Sequence, residues 1–339
     1  MSPNKKKVFI IAEAGVNHNG SIKKALRLIN VAAKVGADAV KFQTFKAENI
    51  VTTRAPKADY QKNLIFKKET QFQMLKKLEL THKMHLACLA ECKKKKIIFI
   101  SSAFDIEGLN YLKKFKLSYF KVPSGEITNI PYLEVLGKFR KKIILSTGMS
   151  NISEIYKALK TLVINGTKKK NITLMQCTTA YPAPYDEINL NTIPTLRDIF
   201  KLNIGFSDHS LGVQASLAAV ALGAKIIEKH LTLNKKFKGP DHRASLDAKE
   251  FKFMVEGIRI VEKVLGDKIK KVTKSEKKNI NIVRKSIVAS TAIKKNEKFS
   301  IFNITCKRPG TGISPLFFKK LIGKKSMKNF KKNDLIRIK

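Results

Sequence analysis

The sequence predicts a TIM (β/α)8 barrel followed by a small, mostly-β module, an α/β chain in two parts. Three observations predict it. A short apolar strand and a periodic helix alternate eight times within about 265 residues, the usual extent of such a barrel. No glycine-rich phosphate turn follows the first strand, as a doubly wound open sheet would more often have. Beyond about residue 283 the pattern changes to short strands and turns, with enough chain left for one compact module.

The strands read as Val8–Ala12, Ala39–Gln43, Ile97–Ser101, Tyr119–Val122, Ile143–Thr147, Ile172–Cys177, Ile204–Ser207 and Ile226–His230. Helical periodicity lies between them, for example over Ile22–Val35, Glu69–Cys92, Ile152–Ile164 and Gln214–Leu222, with a last helix over Ala248–Leu265. Gly36 and Gly223 each stand where a left-handed cap would end a helix before the next strand. The expected organisation is a barrel over residues 1–267, a lysine-rich linker over 268–282 and a second domain over 283–339. In that domain Ser286–Ala289 and Ile304–Lys307 read as strands, and Lys294–Glu297 as a turn.

The 339 residues carry a net charge of +42, nearly all of it lysine. Such a charge invites a nucleic-acid reading. The lysines are scattered along the chain instead of gathered in one stripe, however, and no helix-turn-helix, zinc-finger or aromatic RNA-binding signature accompanies them. No nucleic-acid partner is therefore expected, although the positive field would speed capture of an anionic substrate. No apolar run of about 18 residues exists to span a membrane. The basic start, Met1–Lys7, leads straight into a strand with no signal-peptide core. Four cysteines (Cys88, Cys92, Cys177 and Cys306) fit a reducing compartment, so a cytoplasmic location is expected.

Active sites of TIM barrels lie at the C-terminal ends of the strands. Polar residues collect there on almost every strand: Glu13, Lys41 and Gln43, Ser102, Lys121 with Ser124 and Glu126, Ser146, Thr179 and Tyr181, Ser207 with His209, and His230. A lone lysine at a strand end is usually solvated, and a lone histidine usually packs in the core. Their joint placement at one end of several strands is not explained by packing. Lys41 and Lys121 among serine hydroxyls suit a phosphate and a carboxylate. His209 and His230 on adjacent strands suit a divalent metal with open positions. Glu13 and Glu126 are the carboxylates best placed for proton transfer.

On these residues the chain resembles the sialic acid synthase family, the N-acylneuraminate synthases. The matching stretches are Ile11–Gly20 (IAEAGVNHNG), Val40–Thr44 (VKFQT), Lys121–Glu126 (KVPSGE), Leu145–Met149 (LSTGM), Phe206–Ser210 (FSDHS), Glu228–His230 (EKH), Gly239–Ser245 (GPDHRAS) and Lys307–Gly312 (KRPGTG). They run in order through nearly the whole chain, and the C-terminal module is similar to the antifreeze-like (SAF) domain of these synthases.

The resemblance implies a mechanism in which the enol carbon of phosphoenolpyruvate attacks the aldehyde of an open-chain N-acyl amino-sugar. Water then adds, and phosphate leaves by C–O cleavage. It implies Mn²⁺ on His209 and His230, with Mg²⁺ or Co²⁺ as other choices. Phosphoenolpyruvate would be held by Lys41, Ser102, Lys121, Ser124, Ser146 and Ser207. Thr179, in the phosphate-side loop where some relatives carry asparagine, would add its hydroxyl to that set. Gln43, Tyr181 and Asp241 would contact the sugar, and Glu13 and Glu126 would serve as acid and base. It further implies a domain-swapped homodimer in which Arg308 reaches the partner's site.

N-acetylmannosamine, giving N-acetylneuraminate, is the first expected acceptor. A 2,4-diacetamido-2,4,6-trideoxymannose, giving N,N'-diacetyllegionaminate, is the alternative, and pseudaminate synthesis ranks third. Outside the family stand a Schiff-base aldolase using Lys121 or Lys41 and a lysine-rich nucleic-acid binder. The loop Thr53–Asn63 would border the far end of the sugar.

Overall fold

The computed structural model describes residues 7–55 and 70–338. Eight parallel strands close into a barrel in sequence order, with the first pairing the last. They are β1 (Phe9–Gly15), β2 (Ala39–Thr44), β3 (Ile98–Ala103), β4 (Tyr119–Val122), β5 (Lys142–Ser146), β6 (Ile172–Cys177), β7 (Asn203–Asp208) and β8 (Ile226–His230). The expected strands recur, β4, β6 and β8 with the expected ends and the others with ends shifted by up to three residues. The largest shift is in β1, which continues past Glu13 to Gly15.

Strand side chains alternate between faces, and that alternation layers the barrel interior. Ile11, Ala39, Ile100, Ile144, Met175 and Ile226 form an apolar plug. Two residues further along the same strands stand Glu13, Lys41, Ser102, Ser146, Cys177 and Glu228. Two residues beyond those come Gly15, Gln43, Gly148, Thr179 and His230, with His209 at the matching level after β7. The outward faces pack against the surrounding helices in a separate and larger core that includes Leu28, Phe42, Leu133, Leu145, Phe206 and Phe251.

The helices start where short polar side chains can accept from free backbone N–H groups. Ser21 caps Ile22–Lys34, Asn151 caps Ile152–Ile164 and Asp247 caps Ala248–Val264. Gly36 and Gly223 have φ of +85° and +104°, the left-handed geometry expected of them. The helix expected over Glu69–Cys92 is two helices, Gln71–Leu78 and His82–Lys95. Thr81, in extended conformation, accepts from the Met84 N–H and begins a new helix inside what reads as one continuous period. In the loop Thr53–Asn63, residues 56–63 lie outside the described ones.

The chain divides into two compact units, Met1–Gly266 and Asp267–Lys339. In the second unit β9 (Ser286–Ala289) and β10 (Ile304–Lys307) pair antiparallel over a core that includes Ile287, Ile293, Phe299 and Phe330. The segment expected as a linker is not plain coil. Thr273 and Glu276 form a capping box that starts a one-turn helix, Lys274–Lys277, and another follows over Ile280–Val283. Among the described residues no helix is long and apolar enough to cross a membrane.

Gly205 faces the apolar plug. A Cβ there would collide with Met175 Sδ and lie 2.8 Å from the Ile226 carbonyl oxygen. Gly205→Ala should therefore cost about 1–3 kcal/mol through overpacking, at roughly 2–4 °C of melting temperature per kcal/mol. An unchanged melting temperature would show that the plug has room to spare.

Candidate active site

The polar layer and the loops above it enclose a cavity of about 1020 Å³. Every barrel residue selected from the sequence lines it: Glu13, Lys41, Gln43, Ser102, Lys121, Ser124, Glu126, Ser146, Thr179, Tyr181, Ser207, His209, His230 and Asp241. Arg308 belongs to the second unit, where its Nε donates to the Val283 carbonyl at 3.0 Å.

At the floor of the cavity two buried lysines meet two buried carboxylates. Lys41 Nζ lies 2.8 Å from Glu13 Oε2 and 3.7 Å from Glu228 Oε2, while Lys121 Nζ lies 3.3 Å from Glu228 Oε1. Hydroxyls complete the ring. Lys41 donates to Ser102 Oγ at 3.2 Å, Lys121 to Ser146 Oγ at 2.7 Å, and Ser207 Oγ to Glu228 at 2.9 Å.

Burial and charge divide the two acids. Burial pushes Glu13 up to about 7, against the opposing pull of Lys41. Burial acts in the same direction on Glu228, but there Lys121, Lys41 and the Ser207 hydroxyl outweigh it and hold the carboxyl at about 2. Burial lowers Lys121 despite Glu228, whereas Glu13 and Glu228 overcome burial at Lys41 and raise it. Glu228 has no assigned role in the sequence reading. Its signal was the alternation of β8, which puts Glu228 on the same face as His230.

Beside this ring a small cradle opens above β5. The Gly148 N–H donates to Ser124 Oγ at 3.1 Å, and Ser124 Oγ lies 3.2 Å from Cys177 Sγ. A Cβ at Gly148 would collide with Thr179 Oγ1 and lie 2.8 Å from Ser124 Oγ, so the glycine keeps the cradle open. Glu126, half-buried at the rim, is raised by burial and accepts from Asn129 at 2.7 Å.

Above the ring the His209 and His230 rings stand 5.8 Å apart, and Tyr181 packs on His209 at 4.2 Å. His209 Nδ1 meets the Thr178 carbonyl at 2.7 Å, which places its proton on Nδ1. Burial lowers His209 to about 4 and His230 well below its ordinary value, so both are neutral imidazoles, the form that ligates metals. His230 Nδ1 is buried with no hydrogen-bond partner among the described residues, and Asp241 Oδ2 is 3.9 Å away. Burial raises Asp241 to about 6. Among the described residues no three His, Cys, Asp or Glu are grouped to hold a metal. Two neutral imidazoles, one with an unsatisfied nitrogen, fit an ion that keeps its other positions for water and substrate.

Two further segments seat Asp241. Asn17 Nδ2 donates to the Leu231 carbonyl and to Ser245 Oγ, both at 2.9 Å, and Asn19 Nδ2 donates to the Lys238 carbonyl at 2.8 Å. The Ile11–Gly20 and Gly239–Ser245 motifs, far apart in sequence, are thus one clasp at the edge of the cavity.

A closed parallel barrel with buried lysines, paired carboxylates and two neutral imidazoles at its C-terminal mouth defines an enzyme that handles an anionic substrate. Comparison with known proteins gives its family. The NeuB family profile matches residues 28–270, and the SAF domain profile matches residues 284–339. The chain is 54% identical to the N,N'-diacetyllegionaminic acid synthase of Campylobacter jejuni, over 98% of this chain and 99% of that one. It is 41% identical to the protein of the same name from Legionella pneumophila, over 95% and 91%. Among solved structures, the N-acetylneuraminic acid synthetase of Leptospira borgpetersenii superposes with a TM-score of 0.71 at 34% identity, covering 81% of this chain and 90% of that one. The chain belongs to the NeuB family, the sialic acid synthases, and is a sugar-acid-forming condensing enzyme with a C-terminal SAF domain.

The buried imidazoles dictate an acid sensitivity. His18, His85, His209 and His242 are each lowered by burial to about 4, and His230 lies well below its ordinary value. The unfolded chain takes up these protons near pH 6.5 and the folded chain only near 4, so their stabilisation is complete above about 6.5 and is lost as pH falls. Glu13 and Asp241, raised to about 7 and about 6, and Glu126, also raised by burial, act in the opposite sense, three groups against five. The urea midpoint of the metal-free protein should fall between pH 6.5 and 4.5. A flat or rising midpoint would mean that the histidines titrate normally in the folded state.

Proposed function

We propose that this enzyme condenses phosphoenolpyruvate with 2,4-diacetamido-2,4,6-trideoxymannose and water, giving N,N'-diacetyllegionaminate and phosphate. The observation that carries the choice of acceptor is the 54% identity, along essentially the whole of both chains, to a diacetyllegionaminic acid synthase. Identity to the N-acetylneuraminic acid synthetase is 34%. This reverses the order read from the motifs, which placed N-acetylmannosamine first. Those motifs build the part of the site common to both reactions, whereas whole-chain identity also samples the walls that meet the sugar.

In this reading Lys41 and Lys121 pair with the phosphate and carboxylate of phosphoenolpyruvate, and Ser102, Ser124, Ser146, Thr179 and Ser207 donate hydroxyl hydrogen bonds. The Gly148 N–H lies in the same cradle. The cations sit fixed in a buried site, so they oppose developing charge without reorganising in the transition state. Gln43, Tyr181 and Asp241 line the same cavity and face the acceptor sugar.

The enol carbon forms the new bond to the aldehyde carbon. The resulting alkoxide takes a proton, water adds to the cationic carbon and gives one up, and phosphate leaves by C–O cleavage. Glu13, near 7, exists in both protonation states at neutral pH and serves one of these transfers at its carboxyl oxygens. Glu126, also raised, serves the other. His209 and His230 would hold a divalent ion, Mn²⁺ before Mg²⁺ or Co²⁺, which supplies Lewis acidity toward a carbonyl oxygen. The enzyme works in the cytoplasm as a domain-swapped homodimer, with Arg308 of one protomer serving the other's sugar site.

Phosphate release from phosphoenolpyruvate with Mn²⁺ tests the acceptor. The diacetamido sugar should exceed N-acetylmannosamine in kcat/KM by at least ~10-fold, about 1.4 kcal/mol of transition-state discrimination. The reverse order would return the enzyme to N-acetylneuraminate synthesis. Arg308→Ala should raise the KM for the sugar more than that for phosphoenolpyruvate. An equal rise in both would remove Arg308 from the sugar site.

A further inference from the structure

We infer that the buried ion pair of Asp208 and Lys229 is a positioning pair that sets the spacing of the His209 and His230 imidazoles, and thereby the grip on a divalent cation. The inference rests on the proposed metal role of those histidines. Asp208 and Lys229 point away from the cavity, each one residue before an imidazole that points into it. Both side chains are fully buried, with Lys229 Nζ 2.9 Å from Asp208 Oδ2.

The backbone register explains what the pair controls. Ser207 faces Glu228 and Asp208 faces Lys229 across the β7–β8 ladder, and that second rung is the last one. Beyond it the two histidines follow separate paths. The His209 carbonyl accepts from the Ala183 N–H, and the His230 carbonyl accepts from the Leu246 N–H, each at 2.9 Å. No backbone hydrogen bond joins the two histidines across the ladder among the described residues. Ser207 Oγ, 3.4 Å from His209 Nε2 and donating to Glu228, ties the two strands on the cavity side, and the ion pair ties them on the outer side.

The pair also grips His209 from both sides. Asp208 precedes it, and Asp208 Oδ1 accepts from the Ser210 N–H at 2.9 Å and from Ser210 Oγ at 2.6 Å. Lys229 Nζ donates to the Ser210 carbonyl at 2.6 Å. Ser216, in the helix Gln214–Ala221, donates to Asp208 Oδ2 at 2.6 Å and ties the arrangement to the outer layer. A bare stabilising contact would need none of this focus on the residues flanking His209. An apolar pair of similar volume would serve packing as well, without the cost of desolvating two charges. The geometry matches the general role of groups behind metal ligands, whose loss typically weakens metal affinity 10–100-fold.

The test titrates Mn²⁺ into the metal-free full chain, following free Mn²⁺ by electron paramagnetic resonance. Phosphoenolpyruvate binding without metal is measured in parallel by calorimetry. The variant is Asp208→Asn with Lys229→Met, which removes both charges and leaves no buried ion unpaired. The expected result is a Kd for Mn²⁺ raised at least ~10-fold, with unchanged circular dichroism and phosphoenolpyruvate affinity within about twofold. Mn²⁺ affinity within about twofold of the parent, or equal weakening of both ligands, overturns the inference. If the double variant does not fold, Ser216→Ala carries the test, because it loosens Asp208 and leaves the pair in place. It should weaken Mn²⁺ severalfold, and an unchanged Kd overturns the inference. His209→Ala separates the two levels. If it loses Mn²⁺ while the double variant keeps it, only the positioning role fails. If all variants keep Mn²⁺, the metal reading fails and takes the positioning role with it.

Discussion

Two ammonium groups buried at the mouth of a barrel need negative charge beside them, and that constraint organises the site. Lys41 and Lys121 are 5% and 4% exposed, and unpaired they would not remain charged there. Glu13 and Glu228 supply the partners. Glu228 stays ionised beside both lysines, whereas Glu13, with the weaker set of partners, is left near 7. The empty site is therefore charged but internally paired. An arriving anion need not create a cationic pocket, because it takes over lysines already held in place by Ser102 and Ser146. As the anion engages Lys41, Glu13 loses its counter-ion and becomes a stronger proton acceptor. Anion capture and proton transfer are in this way linked through one side chain.

The rest of the fold serves to hold that ring and the layer above it. The apolar plug supports it from below, and Gly205 is small so that the plug can close. The clasp between the Asn17 and Asp241 segments closes one side. On the outer face of β7 and β8 a second ion pair, between Asp208 and Lys229, completes an alternation of paired charges inside and outside the wall. The NeuB barrel and its SAF domain each have their own core.

Much of this was legible in the sequence because one rule, alternation along a strand, carries both the fold and the site. Residues spaced by two from Ile11 to Glu13, or from Ile226 to Glu228 and His230, share a face whatever the helices do. Other features were not legible for physical reasons. The break between Leu78 and His82 is hidden because Thr81 caps a new helix without interrupting the apolar period. The helix at Lys274–Lys277 is local capping chemistry inside a run that composition marks as linker. The partner of each lysine depends on the stagger between strands, which one sequence does not display. Alternation from His230 puts Glu228 inside the barrel and Lys229 outside it, but the stagger hides their partners, Lys121 and Asp208. The motifs do not rank the acceptor sugars, and it is whole-chain similarity that favours the diacetamido sugar the motifs placed second.

The central claim is that the lysines of the ring change partners when the anion arrives, with Glu13 gaining a proton as it loses Lys41. Calorimetry of phosphoenolpyruvate binding to the metal-free enzyme at pH 7, in buffers of differing ionisation enthalpy, measures this directly. The account predicts more proton uptake per bound molecule in the parent enzyme than in Glu13→Gln, by a fraction of a proton. Equal uptake in the two proteins, or greater release in the parent, would contradict it.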